Sequence, residues 1–436
     1  MKRIVSTLTL FLVVLVGSGA WGRSLLPTVE PEKVGLSSER LQRIGEVFQQ
    51  EIDQGRLPGV VVLVARRGEV AYFESLGFRD KDAGAPMTDD AVFRIYSMTK
   101  PLVSVAAMIL MEEGRLQLAD PVSKFLPEFA ELQVSVPITD AYGKTSYGLV
   151  PAARQMTVQD LLRHTAGLAY GELTGNAVVK DAYAEAGLFK PDGLPFEARD
   201  IAPADEVVRL AKAPLIHQPG TVWEYSLASD LLGRVVEQAS GMRLGDFLEQ
   251  RLFAPLGMDD TGFAVPEADV ARLAEPFETD PATGNPNLLI DVSAPPANDS
   301  GGAGAVSTAS DYALFAQMLL NRGELNGARI LSPTTIRLMT SDHLGERIAA
   351  PVTPGELLLG TPGYTFGLGF AVREGPGIAA VPGAAGEFMW AGYAGTYFWI
   401  DPEEELVGVL MTQAPGPSRA YYRRHIKQLV YQAIAD

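Results

Sequence analysis

The sequence contains no cysteine, which excludes disulfides, a thiol nucleophile and thiolate metal sites. A chain of 436 residues must then hold together by packing, hydrogen bonds and ion pairs alone. Histidine is almost as scarce. His164, His217, His343 and His425 are the whole set, and no HExxH occurs, so a histidine-rich metal centre is not expected and no cofactor is called for. Basic residues are in deficit, 36 against 53 acidic ones, and the formal charge is -17. Such a surface repels phosphate backbones and anionic lipid, which disfavours nucleic acid and membrane surfaces as partners. The Gly-x-Ser-x-Gly turn of α/β-hydrolases is also missing. Long apolar runs are absent except at the N-terminus, where Lys2 and Arg3 precede Leu8 to Val16 and the small residues Ser18-Gly19-Ala20 follow. Residues 1–20 therefore read as a cleaved secretory signal, and the expected location is periplasmic or secreted. The run falls short of the ~20 residues a membrane span needs, so no stable insertion is expected after cleavage.

What is present describes a folded chain: 47% of residues are hydrophobic and 20% charged. Residues 37–54 open on a serine cap and space Leu41, Ile44, Val47 and Ile52 on one helical face. Strands are expected near 59–66 and 69–76 around a turn at Arg67-Gly68, and again near 395–400 and 405–412. A last helix, 418–434, carries the apolar stripe Tyr421, Ile426, Leu429, Val430 and Ile434. Helix and strands at both ends imply an antiparallel sheet shared by the termini, with the middle as an insertion. Helices are expected there over 98–114, 157–163, 204–212 and 227–239, with another over 310–321. The segments 171–203 and 345–363 lack periodicity and read as loops, the first near a site entrance.

The stretch "FRIYSMTKPLVSVAAMILMEEGRL" places Ser97 where an apolar helix begins and Lys100 three residues on, on the same face. A helix start offers unpaired N–H groups to an oxyanion if the serine attacks a carbonyl. An apolar wall disfavours the ammonium form of a lysine, which can then share or accept a proton. Taken alone, the four residues also fit a capped helix with an exposed lysine.

Their surroundings resemble the serine β-lactamase and DD-peptidase superfamily, especially its class C branch and the family VIII carboxylesterases, in which S-x-x-K supplies nucleophile and lysine. "LPGVVVLVARRGEVAYFESLGFRD", "GRLQLADPVSKFLPEF", "MTVQDLLRHTAGL" and "WAGYAGTYFWIDP" fall in the family order, and the resemblance spans roughly 33–435. It implies an α/β (α+β) fold: an antiparallel sheet flanked by N- and C-terminal helices, built from 30–95 and 290–436, with 96–289 as an inserted, mostly helical subdomain. It also implies that Tyr225, in "EYSLAS", relays the proton of Ser97. Trp390-Ala391-Gly392 would then stand where β-lactamases carry a lysine motif, as substrate-binding residues. The N–H of Tyr393 would join that of Ser97 in an oxyanion hole. Trp390 fits equally an ordinary sheet residue or a substrate contact. His164, in "LLRHTAGL", fits a hydrogen-bonded core residue better than the base of a triad. "SGGAGAVST", residues 300–308, lacks a phosphate-loop lysine and reads as a tight turn near the site.

The expectation is a serine hydrolase acting on small, uncharged, short-chain acyl esters. The alternatives are a β-lactamase or D-alanyl-D-alanine carboxypeptidase, with an arginine from elsewhere replacing the missing cation, and a non-catalytic binding module. Oligomeric state is not legible.

Overall fold

The computed structural model describes residues 25–188 and 197–436. The expected signal, 1–20, and the stretch 189–196 of the expected entrance loop lie outside them. Ser37 caps the first helix, Ser38–Asp53, by accepting from the Arg40 N–H, and Leu41, Ile44, Phe48 and Ile52 form its buried stripe. The chain then enters strand Gly59–Arg66, turns at Arg67 and Gly68, both with positive φ, and returns as Glu69–Asp80. Two left-handed residues match the twist of a tight hairpin, which is why the turn falls on Arg-Gly.

This hairpin is part of one eight-stranded antiparallel sheet. Its spatial order is Tyr364–Phe366, Ala371–Arg373, Phe388–Ala391, Tyr397–Asp401, Leu406–Met411, Gly59–Arg66, Glu69–Asp80 and Ala85–Pro86. The first long strand thus pairs with the last, Val61 opposite Met411. Every residue of Gly59–Arg66 is buried, so the sheet is covered on both faces. The first helix packs on the C-terminal one, Arg419–Tyr431, while Ala309–Leu320 packs on the two central strands. The C-terminal helix buries Tyr422, not Tyr421, and with it Arg423 and Lys427. Ile426, Leu429 and Val430 of the expected stripe are buried, but the buried face is wider: two basic residues also point inward because acceptors wait there, Gly392 O for Arg423 and the Glu387 carboxylate for Lys427.

The chain leaves the sheet layer through Phe93–Arg94 and re-enters through Val306–Ser307, and these two segments pair side by side. Between them lie helices Thr99–Glu112, Val158–Leu162, Pro203–Lys212 and Ala228–Ser240, close to their expected bounds. The middle also holds an unforeseen hairpin, Gln133–Thr139 with Thr145–Pro151. Two segments expected as loops contain helix: Ala177–Glu185, capped by Asn176, and Pro354–Leu359, opened by a Thr353/Glu356 capping box. In both, a cap starts a helix too short to show a period, and buried side chains, Val179 and Tyr183 in one and Leu358 and Leu359 in the other, hold it against the core.

Candidate active site

Ser97 sits in a single 3-10 turn, Tyr96–Met98, that runs directly into helix Thr99–Glu112. Residue 96 is a tyrosine with φ +43, a left-handed conformation that costs a bulky residue on the order of 1–3 kcal/mol and persists only when its surroundings enforce it. They do. The Tyr96 hydroxyl accepts the Ile290 N–H at 2.9 Å, and its ring packs edge-on against Tyr393 at 5.3 Å. Behind the turn, Tyr312 Oη donates to Met98 O at 2.8 Å, and the Ala305 N–H donates to Thr99 Oγ1 at 3.1 Å. The glycine-rich stretch 300–308 is thus a turn that clamps the serine segment, as its composition suggested.

Lys100 is 1% exposed. Its Nζ donates to Ser97 Oγ at 3.1 Å, Tyr170 Oη at 3.0 Å and Gly302 O at 2.7 Å, so all three ammonium directions have an acceptor. The lysine is held by these oxygens rather than by an apolar wall alone. Gly302 is itself fixed, because its N–H donates to Asp230 Oδ1 at 3.0 Å, and the same oxygen accepts from Ser300 Oγ at 2.6 Å. A Cβ added at Gly302 would come within 2.2 Å of Asp230 Oδ2, so a larger residue would have to displace that side chain. Asp230 therefore acts on Lys100 through the backbone of a single residue, whose N–H it holds and whose carbonyl receives the lysine, a link outside the expected motifs.

Tyr225 Oη lies 2.5 Å from Ser97 Oγ. Its ring is boxed by Tyr170, His164 and Trp390, with centroids 5.1, 5.2 and 5.6 Å away. Lys100 Nζ stands 4.7 Å over the Tyr225 ring. Burial, reinforced by Tyr225, pushes the Tyr170 phenol well above its ordinary range, so Tyr170 stays neutral while it holds the lysine. Tyr170 was not singled out from sequence. The one available signal was its place just before the supposed loop, in "HTAGLAYGE".

His164 is 2% exposed and pairs through Nδ1 with Ser226 Oγ at 3.2 Å. Burial, with the nearby Lys100 charge adding to it, drives its pKa well below 6.5, which leaves a neutral core imidazole. The triad alternative finds no support in that partner. Of the two readings open for Trp390, its surroundings match the sheet residue: it is fully buried, contacts Tyr225 and Phe366, and is not among the residues of the cavity wall. In strand Phe388–Ala391 alternate side chains face opposite ways, and Trp390 forms the back of the tyrosine box instead of reaching substrate.

Ser97 and Tyr225 open on a cavity of about 290 Å³ whose wall includes Ala391, Gly392 and Tyr393. Gly392 allows close approach: a Cβ there would meet Ile95 O at 2.5 Å, so the strand edge lies directly against the serine turn. This contact brings the backbone after Gly392 beside Ser97. The rim is apolar, with Leu173, Leu357 and Leu358, whereas Arg419 and Arg423 of the C-terminal helix line the inner wall. Arg423 donates to Gly392 O at 2.6 Å, and Arg419 to Tyr393 O at 2.8 Å. Burial lowers the pKa of both guanidinium groups; the neighbouring Arg419 charge adds to the effect on Arg423. Among the described residues no carboxylate is among the main groups acting on either arginine, and both were outside the expected site.

The Beta-lactamase family model matches residues 44–431. An uncharacterized protein of Mycobacterium tuberculosis is 36% identical over 379 residues, covering 84% of this chain and 88% of that protein. Esterase EstB of Burkholderia gladioli is 32% identical over 405 residues, covering 88% and 93%. Among solved structures, EstCE1, described as a hydrolase with promiscuous acyltransferase activity, superposes with a TM-score of 0.72 at 30% identity, over 90% of this chain and 99% of that one. A match that begins in the first helix, ends in the last and contains the serine, lysine and tyrosine now seen in contact makes this chain a member of the Beta-lactamase family.

Proposed function

We propose that the protein is a serine carboxylesterase that cleaves short-chain acyl esters through an acyl-enzyme. The observation that carries this reading is the contact of one serine hydroxyl with both a lysine and a tyrosine at the floor of a cavity. Ser97 Oγ attacks the ester carbonyl carbon while its proton passes to Tyr225 Oη, which accepts it as a phenolate whose negative charge is offset by the Lys100 ammonium over its ring. The oxyanion is received by the N–H groups of Ser97 and Tyr393. As the tetrahedral species collapses, the bond to the alcohol breaks and Tyr225 returns the proton to the leaving oxygen. Water then repeats the sequence on the acyl-enzyme, and acid and free Ser97 result. A cavity of about 290 Å³ with a leucine rim favours small acyl groups. The basic, apolar and small-residue order at residues 2–20 supports work outside the cytoplasm.

A second reading is favoured by one observation. Arg419 and Arg423 place positive charge, with no carboxylate partner among the described residues, on the wall of a cavity whose strand motif lacks a lysine. A lactam or peptide bearing a carboxylate is the alternative substrate. Initial rates on a p-nitrophenyl acyl series and a chromogenic cephalosporin, for wild type and Ser97→Ala, separate these readings. Ester turnover that depends on Ser97 is expected. Turnover surviving Ser97→Ala would overturn the mechanism, faster lactam turnover would overturn the substrate class, and no turnover of either would leave a binding module.

A further inference from the structure

Glu172 lines the same cavity as Ser97 and Tyr225, yet the proposed chemistry makes no use of it. The neighbouring polar groups are engaged. Lys100 has three acceptors, Asp230 holds Ser300 and Gly302, and His164 faces Ser226. By contrast, Glu172 Oε1 is buried and has no hydrogen-bond partner among the described residues, and the carboxyl's own backbone N–H is the hydrogen bond that acts on it. The charged groups acting on it are Lys100 from the serine helix, Asp230 from helix Ala228–Ser240 and Lys180 from helix Ala177–Glu185. Burial is the largest influence and raises its pKa. A buried acceptor without a donor is a cost that a fold rarely leaves unmet, and the residue that carries it here is part of the cavity wall.

We propose that Glu172 is a specificity-determining residue that receives a hydrogen-bond donor, an ammonium or a hydroxyl, carried by the substrate in its acyl or alcohol part. This rests on the esterase reading and narrows its substrate class: the preferred ester is not a plain alkyl one. Leu173, beside it and 59% exposed, leaves the adjoining rim apolar, so the donor is satisfied at one point of an otherwise hydrophobic mouth. Selection follows from the same physics, because a substrate without a donor leaves Oε1 unpaired on binding, whereas one with a donor removes the defect.

The test uses two matched ester series on the full-length protein. The acyl series comprises p-nitrophenyl propanoate, 3-hydroxypropanoate and 3-aminopropanoate; the alcohol series comprises propyl, 2-hydroxyethyl and 2-(dimethylamino)ethyl butanoate, followed by pH-stat. For wild type, kcat/KM in at least one series should favour a donor-bearing member by about tenfold or more, the scale of one hydrogen bond to a charged group. In Glu172→Gln, which keeps an acceptor but loses the charge, an ammonium preference should collapse towards unity while a hydroxyl preference survives. In Glu172→Leu both should vanish, with unfolding midpoints confirming that each variant is folded. Turnover of plain esters with no donor preference in either series, or a preference unchanged in both variants, overturns the role of Glu172 and leaves the esterase reading intact. Absence of turnover on every ester overturns the esterase reading and, with it, this one.

Discussion

Tyr225→Phe removes one oxygen and nothing else from the centre of the site. The ring keeps its box of Tyr170, His164 and Trp390 at 5.1, 5.2 and 5.6 Å, so packing is preserved. Ser97 Oγ loses its 2.5 Å partner but retains the Lys100 donor at 3.1 Å. The stability cost is therefore that of one hydrogen bond, about 1 kcal/mol. The catalytic cost is set by different physics: without the phenol, the serine proton has no relay to the leaving oxygen. Losing a positioned acid–base group removes about 10²–10⁴ in rate, or ~2.7–5.4 kcal/mol at ~1.36 kcal/mol per decade. The two costs differ enough to be separated. Urea unfolding supplies the first, and the pre-steady-state acylation rate on p-nitrophenyl butanoate supplies the second. A rate loss below tenfold, comparable to the stability loss, would refute the relay and leave Tyr225 as a packing residue that touches the serine.

Other perturbations address the supports of the site. Lys100→Ala should abolish acylation while the fold survives, as read by the absence of a p-nitrophenol burst in a protein with a cooperative unfolding transition; an active variant would mean that the lysine is dispensable. Gly302→Ala should displace either Asp230 or the carbonyl that holds Lys100, because its Cβ would lie 2.2 Å from Asp230 Oδ2. A fall in kcat larger than the change in KM is expected, and unchanged kinetics would show that this acceptor is not needed. His164 binds its proton less readily folded than unfolded, so stability is full above the unfolded value near 6.5 and falls as pH drops below it towards the lowered folded value. His164→Gln should flatten that acid limb by up to about 1.4 kcal/mol per pH unit between pH 6.5 and 5.5, measured by urea midpoints; an unaltered slope would place the linkage elsewhere.

The residues legible in sequence were those whose chemistry is local. Ser97 and Lys100 are one helical turn apart, and the long strands and helices show their period within a few residues. Tyr225 was legible through its resemblance to a family block, and the structure places it against the serine from 128 residues away. Tyr170, Arg419 and Arg423 were not legible, because each acquires its role from a partner far along the chain, and Glu172 was not because its place on the cavity wall exists only in the fold. Arg423, for example, is buried against Gly392 O at a separation of 31 residues, whereas a helix pattern places arginine outside. Trp390 was left open between two readings for a related reason. A strand's alternation fixes which residues share a face but not which face meets the cavity. The helices Ala177–Glu185 and Pro354–Leu359 escaped because six to nine residues hold too few turns for a period to show.

The pairing of the first long strand with the last has a consequence for the order of assembly. Thr412 Oγ1 donates to Gly59 O across 353 residues of chain, and the Ser37 N–H donates to Ala433 O at 2.8 Å. Closing so long a loop carries an entropic cost that local helices never meet. During synthesis the hairpin at 59–80 has to wait, one apolar edge unpaired, until the final strands and helix are available. The same delay governs the cavity, since Tyr393 and the arginines of its wall arrive with that last segment. A nascent chain thus carries Ser97, Lys100 and Tyr225 long before it has a place to put a substrate, and activity should be acquired in one late step instead of growing with length.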